Sequence, residues 1–271
     1  MRSWSRETRR AGRSIAFVPT MGCLHEGHLS LVREARAHAD CVVVSVYVNP
    51  TQFAPHEDFD SYPRDLDGDR SKLQEAGCDV VFEPSDLYPH GDNDVWVRAE
   101  TLELPLCGVS RPHFFTGVAT VVTKLFNIVE PDVAVFGKKD YQQWRIISRM
   151  VRDLDFPITI IGMPIVREAD GLAMSSRNAR LTPDARAKAP VIYEALQVAE
   201  RAVEGGARSP VPLLHNLIVA ITATGGVVDY AEIVDAETLV PVDTIARQAL
   251  LAVAVSFGSV RLIDNVVLTP F

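Results

Sequence analysis

Short apolar runs and amphipathic stretches alternate over the first two thirds of the chain. The apolar runs are rich in β-branched residues and predict strands over residues 15–19, 41–48, 79–83, 133–136 and 158–166. The stretches between them have apolar residues at helical spacing and predict helices over residues 28–39, 66–76, 118–129 and 141–154. Because the strands are apolar on both faces, this α/β pattern predicts a Rossmann-like parallel sheet with helices on both faces. Ligands bind such sheets at the carboxyl ends of the strands, so chemistry is expected in residues 19–28, 49–53, 137–143 and 167–177.

The pattern changes after about residue 166. Thr182 and Pro183 form a helix start, and one helix is predicted over residues 183–204 and another over 210–224. Apolar runs at 229–235, 250–256 and 260–268 follow, and the last two are joined as in a hairpin. These elements predict a smaller C-terminal α+β domain over residues 166–271, after a Rossmann-like domain over residues 1–165.

Composition and charge narrow the class of protein. Hydrophobic residues make up 47% of the chain and charged residues 23%, which is typical of a soluble globular protein and not of a disordered one. The net charge of −8 disfavours a general nucleic-acid-binding protein, and no apolar run is long enough for a membrane helix. The four cysteines are too far apart for a zinc or redox pair, so we expect a reducing compartment, the cytoplasm.

The strongest chemical signal is PTMGCLHEGH at residues 19–28, between a predicted strand and a predicted helix. His25 and His28 are three positions apart, which places both rings on one side of a helix turn. The N–H groups and the dipole at a helix start attract phosphate, and Gly22 and Gly27 allow a ligand to approach the backbone closely. A metal site is the alternative, but the sequence offers no clear third ligand.

Two weaker signals are cationic. Residues 171–181, GLAMSSRNARL, place two hydroxyls and an arginine in succession, which suits phosphate oxygens but also a phosphorylation site or a solvated loop. In FGKKDYQQ, residues 136–143, Lys139 can neutralise charge on a transferring phosphoryl group. Asp140 can hold a ribose or orient that lysine, and we expect Lys138 to face solvent.

A third weaker signal is uncharged. Asn49 and Gln52 in VNPTQF follow a predicted strand and are hydrogen-bonding residues suited to a polar substrate. The chain has no GxG dinucleotide fingerprint, no P-loop and no GxSxG elbow, so phosphates and acyl groups are not handled by those motifs.

Together these motifs resemble a known family. An HxGH turn with a downstream Met-Ser-Ser-Arg is similar to the nucleotidyltransferase superfamily that includes class I aminoacyl-tRNA synthetases. The full set, FVPTMGCLHEGHLSLV, VNPTQF, YPRDLDGD, FGKKDYQQ, MSSRNARL and RLIDN, resembles the pantothenate synthetase (pantoate–β-alanine ligase) family over residues 15–265. The resemblance implies ATP-dependent condensation of (R)-pantoate with β-alanine through a pantoyl adenylate, giving pantothenate, AMP and pyrophosphate. It also implies a cytoplasmic, magnesium-dependent homodimer.

The resemblance implies a role for each matching segment. His28 matches the proton donor, and with His25 and Lys139 it makes the expected catalytic set. The implied ATP-binding residues are Met21, Gly22, Cys23, Leu24, His25, Glu26, Gly27, His28, Gly137, Lys138, Lys139, Asp140, Val166, Met174, Ser175, Ser176 and Arg177. The implied substrate-binding residues are Pro19, Thr20, Met21, Asn49, Gln52 and Gln143. Asp67 and Asp69 are candidate outer magnesium ligands, with a solvated acidic face as the alternative.

Residues 106–117 depart from the family pattern. Where the family usually shows LEGxxRPGHFxG, residues 106–117 are LCGVSRPHFFTG, so Cys107 replaces an acid and His113-Phe114 stands in place of Gly-His. Two alternatives stay open: another adenylyl- or cytidylyl-transferase, and an RNA-binding relative of the tRNA synthetases without small-molecule activity. The polar stretch 54–63 is predicted to be a mobile flap that shields the adenylate from water.

Overall fold

The structure is a computed structural model that describes residues 1–54, 59–60 and 62–271. The flap predicted over residues 54–63 includes residues 55–58 and 61, which lie outside these ranges, so it stays a prediction. The chain divides into two compact units: the first is Met1–Glu103, Arg111–Lys138 and Gln143–Pro164, and the second is Leu104–Ser110, Lys139–Gln142 and Ile165–Phe271. The domain limits 1–165 and 166–271 stay a prediction, because two short segments of the first range group with the second unit.

A parallel sheet forms the centre of the first unit. Within the described residues it has five strands, β1 (Ile15–Thr20), β2 (Cys41–Val46), β3 (Val80–Phe82), β4 (Val133–Gly137) and β5 (Thr159–Met163). Their order is β3-β2-β1-β4-β5, and every neighbouring pair is parallel. The strand order reverses direction between β1 and β4, the position where open α/β sheets bind ligands outside the carboxyl ends of their strands.

Helices cover both faces of this sheet. The helices along the chain are α1 (Arg2–Arg10), α2 (Glu26–His38), α3 (Leu66–Glu75), α4 (Cys107–Ser110), α5 (Phe114–Val129), α6 (Tyr141–Asp153), α7 (Pro183–Lys188), α8 (Val191–Glu204) and α9 (Pro210–Ala223), with 3-10 helices at Pro50–Gln52, Lys138–Asp140 and Ser176–Arg180. Val32 of α2 and Leu73 of α3 pack with Val18 on one face. On β1, Phe17 contacts Phe126 of α5, with ring centroids 6.3 Å apart. Among the described residues no helix is long and apolar enough to cross a membrane.

The loop between β1 and α2 is held by one buried carboxylate. Asp69 of α3 is 1% exposed, and its two oxygens accept the N–H groups of Cys23 at 2.8 Å and Leu24 at 2.6 Å. Gly22 and Cys23 have φ values of 83° and 53°, in the left-handed region. A Cβ at Gly22 would lie 3.0 Å from the Asp69 Oδ2, so glycine lets the carboxylate approach the loop. Asp69 therefore fixes the backbone that leads into α2.

The second unit is built on an antiparallel sheet. Its strands are β6 (Val227–Asp235), β7 (Ala249–Phe257) and β8 (Val260–Leu268), adjacent in that order. Leu196 of α8 and Ile221 of α9 pack with Leu251 and Val253 of β7 in one apolar core. With the parallel sheet of the first unit, this arrangement confirms the predicted fold class, a Rossmann-like sheet with a smaller C-terminal α+β portion.

One helix predicted as continuous is divided in the structure. The single helix predicted over residues 183–204 is two helices, α7 and α8, interrupted at Ala189 and Pro190. Proline has no N–H to donate and its ring crowds the preceding turn, so it ends the first helix. The helical spacing of apolar residues continues past Pro190, which is why the pattern predicted one helix.

We expect Asp69→Asn to lower the free energy of unfolding by about 2–3 kcal/mol, because an amide cannot accept both N–H groups and one buried donor loses its partner. Asp67→Asn is the matched control on the same helix, since the Asp67 side chain is 97% exposed. Surface changes of that kind stay within about 0.5 kcal/mol. Urea denaturation measures both, and equally small losses would show that the loop does not depend on Asp69.

A second stability prediction concerns His113, the residue before α5. Its φ of 71° lies in the left-handed region, where a side chain costs about 1–2 kcal/mol and where the family pattern has glycine. Since glycine loses more entropy on folding, we expect His113→Gly to raise the free energy of unfolding by a net amount of about 0.5–1 kcal/mol. His215→Gly, inside α9, should lower it. A loss of stability on urea denaturation of His113→Gly would contradict the prediction.

Candidate active site

The two histidines of the HxGH motif form the start of α2. The Nδ1 of His25 accepts the N–H of Gly27 at 3.2 Å, and the Nδ1 of His28 accepts the N–H of His25 at 3.4 Å. The two side chains therefore form a reciprocal capping box. Their ring centroids are 4.1 Å apart. The motif is thus the helix cap itself, and the structure brings both rings together as the spacing predicted.

The capping box determines which nitrogen of each ring holds the proton. A neutral imidazole has one donor and one acceptor nitrogen. Because both Nδ1 atoms accept backbone N–H groups, the neutral rings of His25 and His28 have their proton on Nε2. Each ring then presents an Nε2–H donor beside the positive end of the α2 dipole. Such a set of donors suits phosphate oxygens.

The end of β1 leads into this cap through a hydrogen-bonded threonine. The buried Thr20 donates its hydroxyl to the Ser45 carbonyl at 2.7 Å and accepts the Gly22 N–H at 3.3 Å. Pro19 and Met21 are half-buried on either side of it. The Thr20 hydroxyl therefore holds the loop, while its neighbours lie at the carboxyl end of the strand, where the sequence predicted substrate contacts.

Residues of α3 form hydrogen bonds with the remaining part of the β1–α2 loop. Lys72 donates to the Leu24 carbonyl at 3.0 Å, opposite the hydrogen bond that the Leu24 N–H makes to Asp69. Burial, and after it the charge of Asp69, raises the pKa of the Cys23 thiol. That thiol stays protonated at neutral pH and adds no negative charge to a loop expected to meet phosphate. Glu26, the first residue of the helix, is exposed.

Asn49 and Gln52 form a buried amide pair after β2. The Asn49 Nδ2 donates to the Gln52 Oε1 at 2.9 Å and to the Gly117 carbonyl at 3.3 Å. With its oxygen assigned as an acceptor, Gln52 keeps its NH₂ group as the donor end. A Cβ at Gly117 would lie 2.3 Å from the Thr51 carbonyl oxygen. Glycine is therefore required for α5 to lie against this turn.

Arg111 supports the same pair and was missed by the sequence analysis. Its Nη2 donates to the Gln52 carbonyl at 3.0 Å, and its guanidinium lies 3.8 Å from the centre of the Phe114 ring. The Arg-Pro of the LCGVSRPHFFTG segment was the available signal. That dipeptide does not indicate which residue Arg111 contacts, because Gln52 is 59 positions away.

Lys138, at the end of β4, packs on an aromatic ring. Its Nζ lies 4.8 Å from the centre of the Trp144 ring, and a Cβ at Gly162 would come within 2.7 Å of both side chains. The expectation that Lys138 faces solvent is wrong, because the indole face attracts an ammonium group. Gly137 ends the strand before it, and Gln143 is half-buried in the first turn of α6.

Lys139 is held by its main chain within the second unit. The Asn265 Nδ2 of β8 donates to the Lys139 carbonyl at 3.0 Å. The neighbouring Asp264 is 4% exposed and accepts two hydrogen bonds from Arg167, at 2.6 and 2.9 Å. Burial raises the pKa of Asp264, while Arg167 and, more weakly, Lys139 oppose that rise. Asp140 is exposed. The RLIDN motif alone does not indicate a role for Asp264 or Asn265, because their partners lie 97 and 126 positions away.

A tight turn in the second unit brings Val166 next to the Met-Ser-Ser-Arg motif. The Met174 N–H donates to the Val166 carbonyl at 3.0 Å. Ser175 then caps the 3-10 helix Ser176–Arg180, since its Oγ accepts the Arg177 N–H at 3.3 Å. The segments that the resemblance assigned to ATP at residues 166 and 174–177 are therefore adjacent in space.

The predicted magnesium ligands Asp67 and Asp69 do not form a shared ion site. The Asp69 oxygens accept two backbone N–H groups, whereas Asp67 is exposed and lies 3.5 Å from the Arg70 guanidinium. Residues two apart on a helix do not face each other. Among the described residues no group of three or more His, Cys, Asp or Glu side chains could hold a metal ion. Magnesium ligation by this pair stays a prediction that the geometry does not support.

Known proteins of one family match this chain over nearly its whole length. The family model described as pantoate-beta-alanine ligase matches residues 1–267. A pantoate–beta-alanine ligase of Lotus japonicus is 54% identical over 98% of this chain and 95% of its own length. A pantothenate synthetase of Desulfatibacillum aliphaticivorans is 53% identical over 100% of this chain and 97% of its own length.

Solved structures agree in fold as well as in sequence. The crystal structure of pantothenate synthetase from Thermus thermophilus has a TM-score of 0.92 at 46% identity and covers 98% of each chain. That of pantoate-beta-alanine ligase from Francisella tularensis, complexed with beta-gamma ATP and beta-alanine, has a TM-score of 0.80 at 35% identity over 97% of this chain and 94% of that one. The chain therefore belongs to the pantoate–β-alanine ligase family.

Proposed function

We propose that this chain joins (R)-pantoate to β-alanine with ATP by way of a pantoyl adenylate, and that it releases pantothenate, AMP and pyrophosphate. The chain is a ligase of pantothenate biosynthesis with ATP as a substrate, by its membership of the family. The single observation that supports the adenylation step is the reciprocal cap of His25 and His28, because it supplies fixed donors for phosphate at a helix start.

Two bond exchanges make up the proposed reaction. A pantoate carboxylate oxygen attacks the α-phosphorus of ATP, an O–P bond forms, and the bond to the bridging oxygen breaks as pyrophosphate leaves with the electron pair. The β-alanine nitrogen then attacks the acyl carbon, the C–O bond to AMP breaks, and the nitrogen loses a proton. Negative charge grows on the phosphate groups in the first step, so positioned donors and cations lower that barrier.

The proposed catalytic residues act on this growing charge. His28 and His25 donate from Nε2, since their Nδ1 atoms accept backbone N–H groups. His28 is proposed as the proton donor by its match to the family motif. Lys139 supplies a positive charge to the transferring phosphoryl group, which an ammonium does without proton transfer. Each histidine ring is oriented by the backbone N–H that its Nδ1 accepts, from Gly27 in the case of His25 and from His25 in the case of His28.

The remaining assignments follow the family motifs, residue by residue. We propose that ATP is bound by Met21, Gly22, Cys23, Leu24, His25, Glu26, Gly27, His28, Gly137, Lys138, Lys139, Asp140, Val166, Met174, Ser175, Ser176 and Arg177. We propose that the substrates are bound by Pro19, Thr20, Met21, Asn49, Gln52 and Gln143. The Asn49–Gln52 bond of 2.9 Å supports the role of Gln52, because it presets the glutamine to donate to a carboxylate.

Magnesium, a homodimer and a cytoplasmic location are parts of the proposal that rest on the resemblance to the family. Magnesium supplies charge neutralisation of the triphosphate when it is bound. Because Asp67 and Asp69 share no ion site, the phosphate oxygens of ATP and water would make up most of its coordination. The domain over residues 1–165 is proposed to bind nucleotide and pantoate, and the domain over 166–271 to contain the Met-Ser-Ser-Arg motif.

One assay tests the proposal as a whole. Purified protein is supplied with ATP, pantoate and β-alanine, and AMP and pantothenate are measured together. We expect equal amounts of the two products, with no pantothenate when β-alanine is left out. Turnover of ATP to a nucleotidyl product without an amine would favour another nucleotidyltransferase. Retention of tRNA on a filter at low salt, without any pantothenate, would favour the RNA-binding alternative.

We expect His28→Gln to lower kcat by about 10²–10³-fold, because the imidazole donor is lost. The free energy of unfolding should change little, since glutamine at the third helix position preserves the capping box. His28→Ala should lower kcat as much and also lower the free energy of unfolding by about 1 kcal/mol, because the cap is lost too. AMP formation and urea denaturation measure the two effects.

His38→Ala is the control for the histidine prediction. His38 is exposed at the end of the same helix, and its Nε2 lies 2.9 Å from the Glu34 carboxylate. This variant should keep nearly full activity. Comparable losses of activity in the His38 and His28 variants, or an active His28→Gln, would mean that His28 is only a structural residue.

A third kinetic prediction separates adenylation from amide formation. With ATP, Mg²⁺ and pantoate alone, the enzyme should exchange labelled pyrophosphate into ATP, because the adenylate can react backwards before water reaches it. Lys139→Ala should suppress this exchange about as much as the complete reaction, since the lysine acts on phosphoryl transfer and not on the amine attack.

Lys188→Ala is the matched lysine control in the second unit. Lys188 pairs with Asp184 at 2.7 Å on the surface of α7 and belongs to none of the proposed binding segments. Both exchange and the complete reaction should persist in this variant. Exchange that strictly requires β-alanine would exclude a separate adenylation step, and full exchange in Lys139→Ala would remove Lys139 from the catalytic residues.

A further inference from the structure

We propose that Asn265, with its neighbour Asp264, is a positioning residue for the adenylation step, and that it acts by setting the place of Lys139. This inference rests on the proposed role of Lys139 in phosphoryl transfer. The hydrogen bond from the Asn265 Nδ2 to the Lys139 carbonyl, 3.0 Å long, joins the two residues directly across 126 positions of sequence.

The donor of this hydrogen bond lies on a rigid element. Asn265 is 6% exposed and belongs to β8, where it pairs with Ala252 of β7 in an unbroken antiparallel register. Its acceptor is the middle residue of the short 3-10 helix Lys138–Asp140. A side chain on a strand is held more precisely than one on a loop. Asn265 therefore fixes the main chain of Lys139 relative to strand β8.

Asp264, the residue before Asn265 on β8, binds a different segment of the second unit. It accepts two hydrogen bonds from Arg167, whose guanidinium also lies 3.6 Å from the centre of the Tyr193 ring and donates to the Gly171 carbonyl at 3.1 Å. Gly171 has a φ of 90°, and a Cβ there would lie 2.5 Å from Tyr193. The Arg167 side chain is thus held by a carboxylate, a ring and a carbonyl.

Arg167 lies inside the turn that precedes the Met-Ser-Ser-Arg motif. It follows Val166 directly and forms a bridge with Ala173. Successive side chains of a strand point in opposite directions, so the adjacent residues Asp264 and Asn265 reach two different segments from one place on β8. One segment contains Lys139, and the other connects Val166 with the Met-Ser-Ser-Arg motif; these residues are proposed to bind ATP. The Asp-Asn pair of RLIDN therefore contacts both segments.

The functional consequence falls on Lys139 because its side chain is long. An ammonium on a flexible four-carbon stem is positioned only as well as its main chain is. Misplacement of a reacting group by about 1 Å can cost about 100-fold in rate. We expect Asn265→Ala to slow pyrophosphate exchange by about 10–100-fold. The rate of amine attack on preformed adenylate, measured in a single-turnover experiment, should change by less than about threefold. This change is much smaller than the expected loss of pyrophosphate exchange.

The test is a double-mutant cycle with Lys139→Ala. If Asn265 acts through Lys139, removing it in the Lys139→Ala background should lower exchange by less than about twofold, because interacting residues are not additive. Arg208→Ala is the control for a structural effect in the same unit, since Arg208 donates to the Val203, Ala207 and Phe271 carbonyls and to none of the proposed ATP segments. It should leave the ratio of the two half-reactions unchanged.

Each outcome of the cycle is decisive. Equal losses from Asn265→Ala in both backgrounds, or equal losses in both half-reactions, would overturn the positioning role. Wild-type exchange in Asn265→Ala with impaired exchange in Lys139→Ala would overturn it while leaving the proposed function intact. Wild-type exchange in Lys139→Ala would overturn the positioning role and remove Lys139 from the catalytic residues, while the ligase activity is tested separately by the formation of pantothenate. If thermal melting shows that Asn265→Ala does not fold, Asn265→Ser is used in the same cycle, since it removes the amide donor and keeps a polar side chain.

Discussion

A buried carboxylate needs donors around it, and the two hydrogen bonds that Asp69 accepts from Cys23 and Leu24 determine the conformation of the β1–α2 loop. These bonds give buried partners to N–H groups at and beside the left-handed residues Gly22 and Cys23. The loop in turn delivers His25 to the position before α2, where its ring can cap the helix. The proton positions of the histidine pair follow from that cap. The proposed phosphate donors therefore depend on a residue that itself touches no substrate in the proposed reaction.

Each of the two units contains buried polar side chains that hold a neighbouring loop in place. In each one, a buried polar side chain bonds to a neighbouring loop that contains a residue proposed for catalysis or binding. Asp69 does this for the histidine loop and Asn265 for Lys139, both through main-chain atoms, whereas Asn49 bonds to the side chain of Gln52. Main-chain atoms are good anchors because their positions, unlike those of long side chains, do not depend on rotamers. The energy of each bond is modest, but a reacting group that moves by about 1 Å loses much of its rate advantage.

The sequence pattern predicted what depends on neighbours along the chain, and it failed where the partner is distant. The fold class followed from apolar runs such as β2, whose period and composition are local properties. The histidine cap was foreseeable because its two members are three residues apart. Asp69, in contrast, looks like Asp67 in sequence, and only a contact 46 positions away distinguishes the buried residue from the exposed one. Lys138 was misplaced for the same reason, since its ring partner is defined by the packing of α6.

Cys107, which stands where the family pattern of the sequence analysis has an acid, lies beside an ion pair of the second unit. The Cys107 Sγ lies 3.3 Å from the Tyr230 hydroxyl and 3.9 Å from the guanidinium of Arg261. A thiol is a weak acceptor, so Arg261 needs another anion. Asp229 supplies it, with a contact of 2.6 Å to Arg261 and a further hydrogen bond from Ser110. Burial would raise the pKa of Asp229, but these hydrogen bonds outweigh it and the pKa lies below its ordinary value. Asp229 is therefore ionised at neutral pH, and Arg261 has a charged partner although residue 107 is a cysteine.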